Sequence, residues 1–514
     1  MSHQYHSDAT PGGGRTDEFL EEKAHCAHEE NSVIPDLTPE EFAVSQKLRR
    51  KVDARILPVA FLVYIMNYID RNNYASARLQ GLEEDLNLSD TQYQTGLSVF
   101  FVGYLLGQIP GNMILNWFGR PSIHLAFFTS AWGLVSGLTA LVTGYKTIVF
   151  CRLILGFVEA PFLPGILFSL SKWYTKSEIN FRMAIFFSAN LVSGAFGNLI
   201  AAGILGGLGH ARGLSPWQWL YIIEGAITVF IGISVYFVMP DFPETWKALT
   251  EEERHVATRR LAIEAAQADV DEAGGMSQLK GLKLAVSDIN TWILALAYLC
   301  VVGAAGLQYF FPSLTASLGY GKVISLLLCA PPYLFMTVWV LVHSWLSDRY
   351  KNRFWFFVYP VPIIVLGFAI FMATDNFGAR YFSLFLMLAI FAVTSTTFAW
   401  IASSIARPPA KRAAAYAIIN SVANTSSVWT SFIYSGPKYT LAMGVNIGLT
   451  IGAGLCAIAL RFVLVSRNKN LARLDDEGVE LNDKEQQSLQ RIADIEGIDI
   501  AAARRLQQGF RYML

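Results

Sequence analysis

Arg152, Gly156 and Glu159 lie within one apolar stretch, TIVFCRLILGFVEAPFLPGILFSL. Seven residues of α-helix turn through roughly 700°, so Arg152 and Glu159 fall within about 20° of one face, two turns apart. Gly156 between them is expected to leave that face open. An ionisable group at bilayer depth costs several kcal/mol and therefore faces a bundle interior or a watery path. Two such groups of opposite sign on one stripe point to a site that handles charge, and so to a transporter. A second constellation closes an earlier apolar run with Tyr68, Asp70 and Arg71. Neighbouring helical residues diverge by about 100°, so of Asp70 and Arg71 one faces the centre and the other reaches sideways. Tyr68, two residues from Asp70, is placed to hydrogen-bond it.

The elements that must position these groups are membrane spans. Of the 514 residues 53% are apolar and only 16% are charged, against about 25% charged in soluble domains. The mean hydropathy is positive. Apolar runs of about 18 to 25 residues match a hydrocarbon core of roughly 30 Å. Twelve are expected, near 55–75, 93–115, 122–143, 148–172, 183–207, 217–239, 289–313, 323–347, 354–374, 380–405, 412–435 and 441–466. Hence an all-α membrane protein of two six-helix, pseudo-symmetric halves: a largely disordered cytosolic tail (1–50), a first half (51–240), a cytosolic central loop of short amphipathic helices (241–288), a second half (289–466) and a charged tail (467–514). The N-terminus has no apolar core of a cleavable signal.

Lysine and arginine cluster on one side of these spans, as in Lys47, Arg49, Arg50 and Lys51, or Arg349, Lys351 and Arg353. The positive-inside rule places both termini in the cytosol and leaves Asn87, in Asn-Leu-Ser, on the outer face as a glycosylation acceptor. A net charge of zero argues against nucleic acid as a partner. The five scattered cysteines form neither a disulfide framework nor a zinc site; no metal and no cofactor are expected, and the chain is read as a monomer. In the seventh span Gly306 and Pro312 suggest a helix broken at a cavity, which makes Gln308 and Tyr309 candidates. Thr397, Trp400, Asn420 and Asn424 are polar positions in spans 10 and 11, suited either to a substrate or to interhelical hydrogen bonds. No phosphate-cradling loop, metal-ligand helix pair or nucleophile elbow supports an enzyme.

The segments IMNYIDRNNYASARLQGLEEDLNLS, CRLILGFVEAPFLPGILFSLSKWYTKSE, WQWLYIIEGAITVF with PDFPETWKALTEEER, and APPYLFMTVWVLVHSWLSDRY resemble the major facilitator superfamily. They resemble its anion:cation symporter branch most, in particular the fungal allantoate-permease-like group. That resemblance implies a carrier of small organic anions, many of whose relatives couple to protons. It marks Asp70 and Glu159 as proton-coupling residues and Arg71 and Arg152 as anion or gating residues. It also implies a cytosolic gate. The first-half signature is degraded around Gly119 and Arg120, whereas its repeat keeps Asp348 and Arg349, followed by Arg353.

The physical scheme is simple. A carboxylate between a neighbouring arginine and a desolvating wall takes up or releases its proton as that balance changes. Once protonated, it frees its arginine for a substrate carboxylate. A static ion pair that packs spans 1 and 4 is the alternative. The expected function is proton-coupled symport of a small organic anion at a fungal plasma membrane, with export or facilitation of a metabolite as the alternative and a nutrient receptor behind both.

Overall fold

The computed structural model describes residues 37–474 apart from 119, 210, 244, 271–277, 406–408 and 437–438, together with 486, 490, 512 and 513. Every regular element among them is helical. The first begins at a capping box: Glu41 N donates to Thr38 Oγ1 at 3.2 Å and Thr38 N donates back to Glu41 at 2.9 Å, satisfying two otherwise orphaned donors. Pro39–Leu79 follows as one helix of 41 residues, about 60 Å long at 1.5 Å per residue. That is twice a hydrocarbon core, so its first third projects beyond it. Residues 39–50, expected as tail, are therefore the start of span 1.

Ten helical stretches are long and apolar enough to cross a membrane. Span 1 is Pro39–Leu79, span 3 Pro121–Leu141, span 4 Tyr145–Leu170, span 5 Ile185–Gly207 and span 6 Pro216–Val238. Spans 7 to 10 are Ile289–Ala316, Lys322–Tyr350, Arg353–Ala373 and Phe377–Ser404, and span 12 is Thr440–Arg473. The helices Asp90–Phe118 and Pro409–Thr430 take the places of spans 2 and 11. The result is an all-α fold of twelve spans, six in each half. Large apolar side chains such as Phe150, Phe230, Phe237 and Phe462 stay exposed on its flanks, as lipid-facing residues must.

Inside each half small residues set the seams. A Cβ on Gly156 would sit 2.0 Å from Phe100 O of span 2, and one on Gly225 would sit 2.6 Å from Gly137 N of span 3. The expectation that Gly156 leaves the face between Arg152 and Glu159 open is thus not met; it seats the backbone of span 2. Several spans are interrupted inside the bundle, span 9 at Tyr359 and span 10 at Leu388-Ala389 among them. Span 4 bends after Glu159 at Ala160-Pro161, where proline cannot continue the ladder. Span 7 tightens into a 3₁₀ turn over Gly306–Phe310, at the expected break.

The end carrying both termini is clasped by charge. Helix Glu251–Val270 of the central stretch lies on the projecting part of span 1. Lys51 pairs with Glu253 at 2.7 Å and Arg259 with Glu41 at 2.8 Å, while Glu178 receives Arg260. Arg182 grips Asp53 with two bonds of 2.6 Å. In the second half Asp288 caps span 7 and binds Lys411 at 2.6 Å and Arg467 at 3.0 Å.

Candidate functional site

Asp70 and Arg71 are both buried in the last third of span 1 and diverge as adjacent helical residues must. Arg71 turns toward span 4. Its Nε donates to Glu159 Oε1 at 2.9 Å, and one terminal nitrogen meets the same oxygen. The guanidinium is boxed by the rings of Tyr68, Phe100 and Tyr104, with centroids 4.9 to 5.3 Å away. Tyr309, from the broken turn of span 7, faces the same guanidinium from the other half of the molecule. Glu159 keeps one oxygen, Oε2, without a partner among the described residues.

Arg152 is wholly buried on the stripe of Glu159. Its plane lies over Tyr74 at 4.5 Å and Phe100 at 4.9 Å, and none of its three nitrogens has a hydrogen-bond partner among the described residues. Cation–π contact in a dry site is worth about 2 kcal/mol, well short of hydrating a guanidinium. Arg152 and the free oxygen of Glu159 are thus a reserve of unpaired polarity beside the Arg71–Glu159 pair.

Asp70 turns the other way, into the seam of spans 3 and 6. It accepts from Thr228 Oγ1 at 2.8 Å, Ser136 Oγ at 2.9 Å and Trp132 Nε1 at 3.2 Å. The expected partnership with Tyr68 does not form, because Tyr68 leans on Arg71 and meets Tyr64 edge-on at 5.0 Å. The four charges anticipated as one cluster are therefore two adjacent sites: Arg71, Glu159 and Arg152 in one, Asp70 in the other.

Aromatic layers enclose the Arg71–Glu159 level on both sides. Toward the end remote from the termini, Phe310 stacks on Tyr434 at 4.1 Å, and Tyr93 meets Phe310 edge-on at 6.4 Å. Gln94 Nε2 also donates across the halves to Tyr434 O at 2.9 Å. Toward the termini, Phe187 of span 5 stacks on Phe398 of span 10 at 6.0 Å, with Tyr298 edge-on to Phe398 at 5.1 Å.

The remaining expected residues divide. Gln308 is half-buried on the broken turn beside Tyr309. Thr397 bonds its own helix at Val393 O, and Asn424 Nδ2 bonds Asn420 O. Trp400 is buried against Phe354 and Phe357. Among the described residues, none of these five reaches the charged pair with a hydrogen bond. At the expected gate, Asp348 pairs with Arg353 at 2.6 Å, not with its neighbour Arg349, which lies on Trp345. Arg120 is exposed, and Gly119 lies outside the described residues. Asn87 is exposed in the turn before span 2, at a positive φ of 50°.

Two buried groups were missed. Glu224, in WLYIIEGAITVF of span 6, is fully buried, and among the described residues neither carboxylate oxygen has a partner at hydrogen-bond geometry. Its signal was plain, a lone acid in an apolar run. His343 of span 8 bridges Tyr359 and Thr396 hydroxyls at 2.7 Å each; a single histidine among apolar residues carries little signal of its own.

The sequence profile of the Major Facilitator Superfamily matches residues 60–431. The MFS-type transporter cnsO of Penicillium expansum is 35% identical over 84% of this chain and 86% of its own length. The major facilitator-type transporter hxnP of Emericella nidulans is 28% identical over 80% of this chain and 84% of its own. Among solved structures, the partially occluded inward-open xylose transporter XylE of E. coli superimposes with a TM-score of 0.59 at 14% identity, covering 78% of this chain and 96% of its own. A bacterial homologue of the human lysosomal transporter Spinster, inward-facing and unoccupied, gives 0.58 at 15%, covering 80% and 96%.

Proposed function

This chain belongs to the Major Facilitator Superfamily, a transporter and not an enzyme, and from that premise we propose that it is a proton-coupled symporter of a small organic anion. The observation that carries the reading is the buried Arg71–Glu159 pair between two aromatic layers. With Glu159 ionised, Arg71 is occupied and Tyr309 closes over it. A proton on the free Oε2 of Glu159 removes the negative charge that holds Arg71, and the guanidinium then presents its planar donors to a substrate carboxylate. Arg152 lies two turns away on the same stripe, within electrostatic reach of Glu159, and favours its return to the ionised state once the substrate leaves.

Alternating access follows from the layers. Parting the Phe187–Phe398 contact opens the pair toward the termini, and parting Tyr93 from Phe310 and Gln94 from Tyr434 opens it toward the opposite end. Gln308 and Tyr309, on the broken turn of span 7, are placed to sense the substrate and move that second layer. Asp348 and Arg353 belong to the gate at the end carrying the termini. That end is cytosolic in this reading, and the protein works as a monomer in the plasma membrane.

Reconstituted vesicles test the proposal with a panel of labelled mono- and dicarboxylates, vitamins and ureides. Uphill accumulation of one of them under an inward proton gradient, abolished by a protonophore, is the expected result. Equilibration of every accepted substrate regardless of the gradient overturns coupling.

A further inference from the structure

Asp70 and Glu224 are two buried carboxylates whose surroundings differ in one respect that matters. Asp70 receives three donors distributed over both oxygens: Ser136 Oγ on Oδ1, and Trp132 Nε1 and Thr228 Oγ1 on Oδ2. Convergent donors are what a carboxylate needs once water is gone. Glu224 is far poorer in donors: among the described residues neither oxygen has a partner at hydrogen-bond geometry, the residue is completely buried, and the donor that comes near it is the amide of Asn73. An ionised carboxylate without donors in such a place is far costlier than the neutral acid.

The two groups face each other. Glu224 and Thr228 are four residues apart on span 6 and share a face, and Thr228 touches Asp70. Glu224 is therefore about one turn, some 6 Å of helix axis, from that contact. Asn73, one turn beyond Asp70 on span 1, faces Glu224. No salt bridge among the described residues reaches either carboxylate, and the guanidinium adjacent to Asp70 in sequence, Arg71, is taken by Glu159. The other ionisable neighbours are few. Tyr221 lies one turn before Glu224 on its own helix, and span 4 brings Arg152 and Cys151 against Tyr221. Glu159 faces Asp70. Span 3 contributes the uncharged Trp132 and Ser136, and the helix of span 5 keeps Lys176, Glu178 and Arg182 at the end carrying the termini, where Glu178 and Arg182 pair with Arg49 and Asp53.

We propose that Asp70 and Glu224 form a second proton site, in which Glu224 carries the proton and Asp70 the negative charge. Two like charges sharing one dry seam do not both persist, and the donors decide which oxygen pair stays ionised. A proton moving from Glu224 to Asp70 leaves the pair at a net charge of −1; a second proton makes it neutral. The pair thus alternates between −1 and 0 beside a separately neutralised Arg71–Glu159 pair. Its use in coupling rests on the symport reading, whereas the position of its proton does not.

Infrared spectroscopy of the protein in lipid nanodiscs at neutral pH locates that proton. The wild type is expected to show the carbonyl stretch of a protonated carboxylic acid, shifted down in deuterium oxide. Glu224→Gln should lose this band and Asp70→Asn should retain one. A band that survives Glu224→Gln, or that vanishes only in Asp70→Asn, overturns the assignment. Should Glu224→Gln fail to fold, Glu224→Asp keeps the acid in a shifted environment, and a band that does not move in that variant likewise overturns it. Failure of symport is distinguishable: gradient-independent uptake by the wild type leaves the band in place and the assignment standing.

Discussion

Arg71 Nε and Glu159 Oε1 meet at 2.9 Å although 88 residues separate them in the chain. Both side chains are almost completely shielded. Breaking a buried pair by removing one partner typically costs about 3–5 kcal/mol, because a charge is left unpaired. Arg71→Ala should therefore lower the melting temperature in detergent markedly. Arg71→Ala combined with Glu159→Gln should recover much of that loss, since no carboxylate then remains to be buried alone. Thermal melts of the two single variants and the double variant give the coupling as a cycle. Additive losses would show that the pair is not one unit.

Transport separates coupling from packing at the same place. Glu159→Gln keeps the shape and one acceptor but cannot exchange a proton. Proton-driven accumulation should fall at least tenfold, about 1.4 kcal/mol of lost driving free energy, while substrate counterflow between preloaded vesicles continues in part. Normal accumulation by this variant would make Glu159 a structural residue. Flux measured with and without a protonophore decides between the two.

The seam of spans 2 and 4 depends on Gly156. A methyl group there would lie 2.0 Å from Phe100 O, a backbone atom that cannot swing aside. Gly156→Ala should destabilise by about 1–3 kcal/mol, as overpacking does, and should also disturb Glu159 one turn on. Gly203→Ala in span 5, where nothing lies within 4 Å of the added carbon, is the matched control and should be neutral or mildly stabilising. Melting temperatures of the two variants in one detergent test this pair of expectations.

Much of this site was legible in the residues. Opposite charges two turns apart on an apolar helix admit few arrangements, and the break of span 7 at Gly306 was announced by glycine and proline. The partner of each charge was not legible, because it is chosen by tertiary contacts. Asp70 found hydroxyls and an indole from spans 3 and 6 instead of Tyr68, and Gly156 proved a contact instead of an opening. Trp400 shows the same limit from the other side. A buried indole in a polar-flanked run suits a substrate or a core equally until its neighbours, Phe354 and Phe357, are known.

The clasp at Asp288 makes a prediction about pH. Burial pushes the Asp288 carboxyl up, but Lys411, Arg467 and the Asn290 backbone N–H together outweigh it and hold the group below the usual carboxylate range. A carboxyl depressed in the folded state adds stability that is present above its unfolded value, about 3.9, and is lost as pH falls through the folded value. The gap in melting temperature between wild type and Asp288→Asn should therefore be constant from pH 7 to about 5 and shrink only below about 4. A gap that already closes near pH 6 would mean that the clasp is not what the carboxylate contributes.

Tyr434 ties the halves together at the end remote from the termini. Its ring stacks on Phe310 at 4.1 Å, its carbonyl accepts from Gln94 and its hydroxyl accepts from Asn446 Nδ2 at 2.8 Å. Aromatic pairs of this kind contribute about 0.5–1.5 kcal/mol beyond their burial. Tyr434→Ala leaves the carbonyl that accepts from Gln94 across the halves but removes the ring that backs Phe310, which meets Tyr93 across the same seam, so the layer should weaken without losing its direct cross-link. The balance of conformations should move toward opening at that end by up to about tenfold, the factor that 1.4 kcal/mol represents. A cysteine placed at Phe101, which touches Tyr309 behind this layer, reports the change through its rate of labelling by a membrane-impermeant thiol reagent. Faster labelling in the Tyr434→Ala background is the expected outcome. An unchanged rate would show that the Phe310–Tyr434 stack is not what shuts this end.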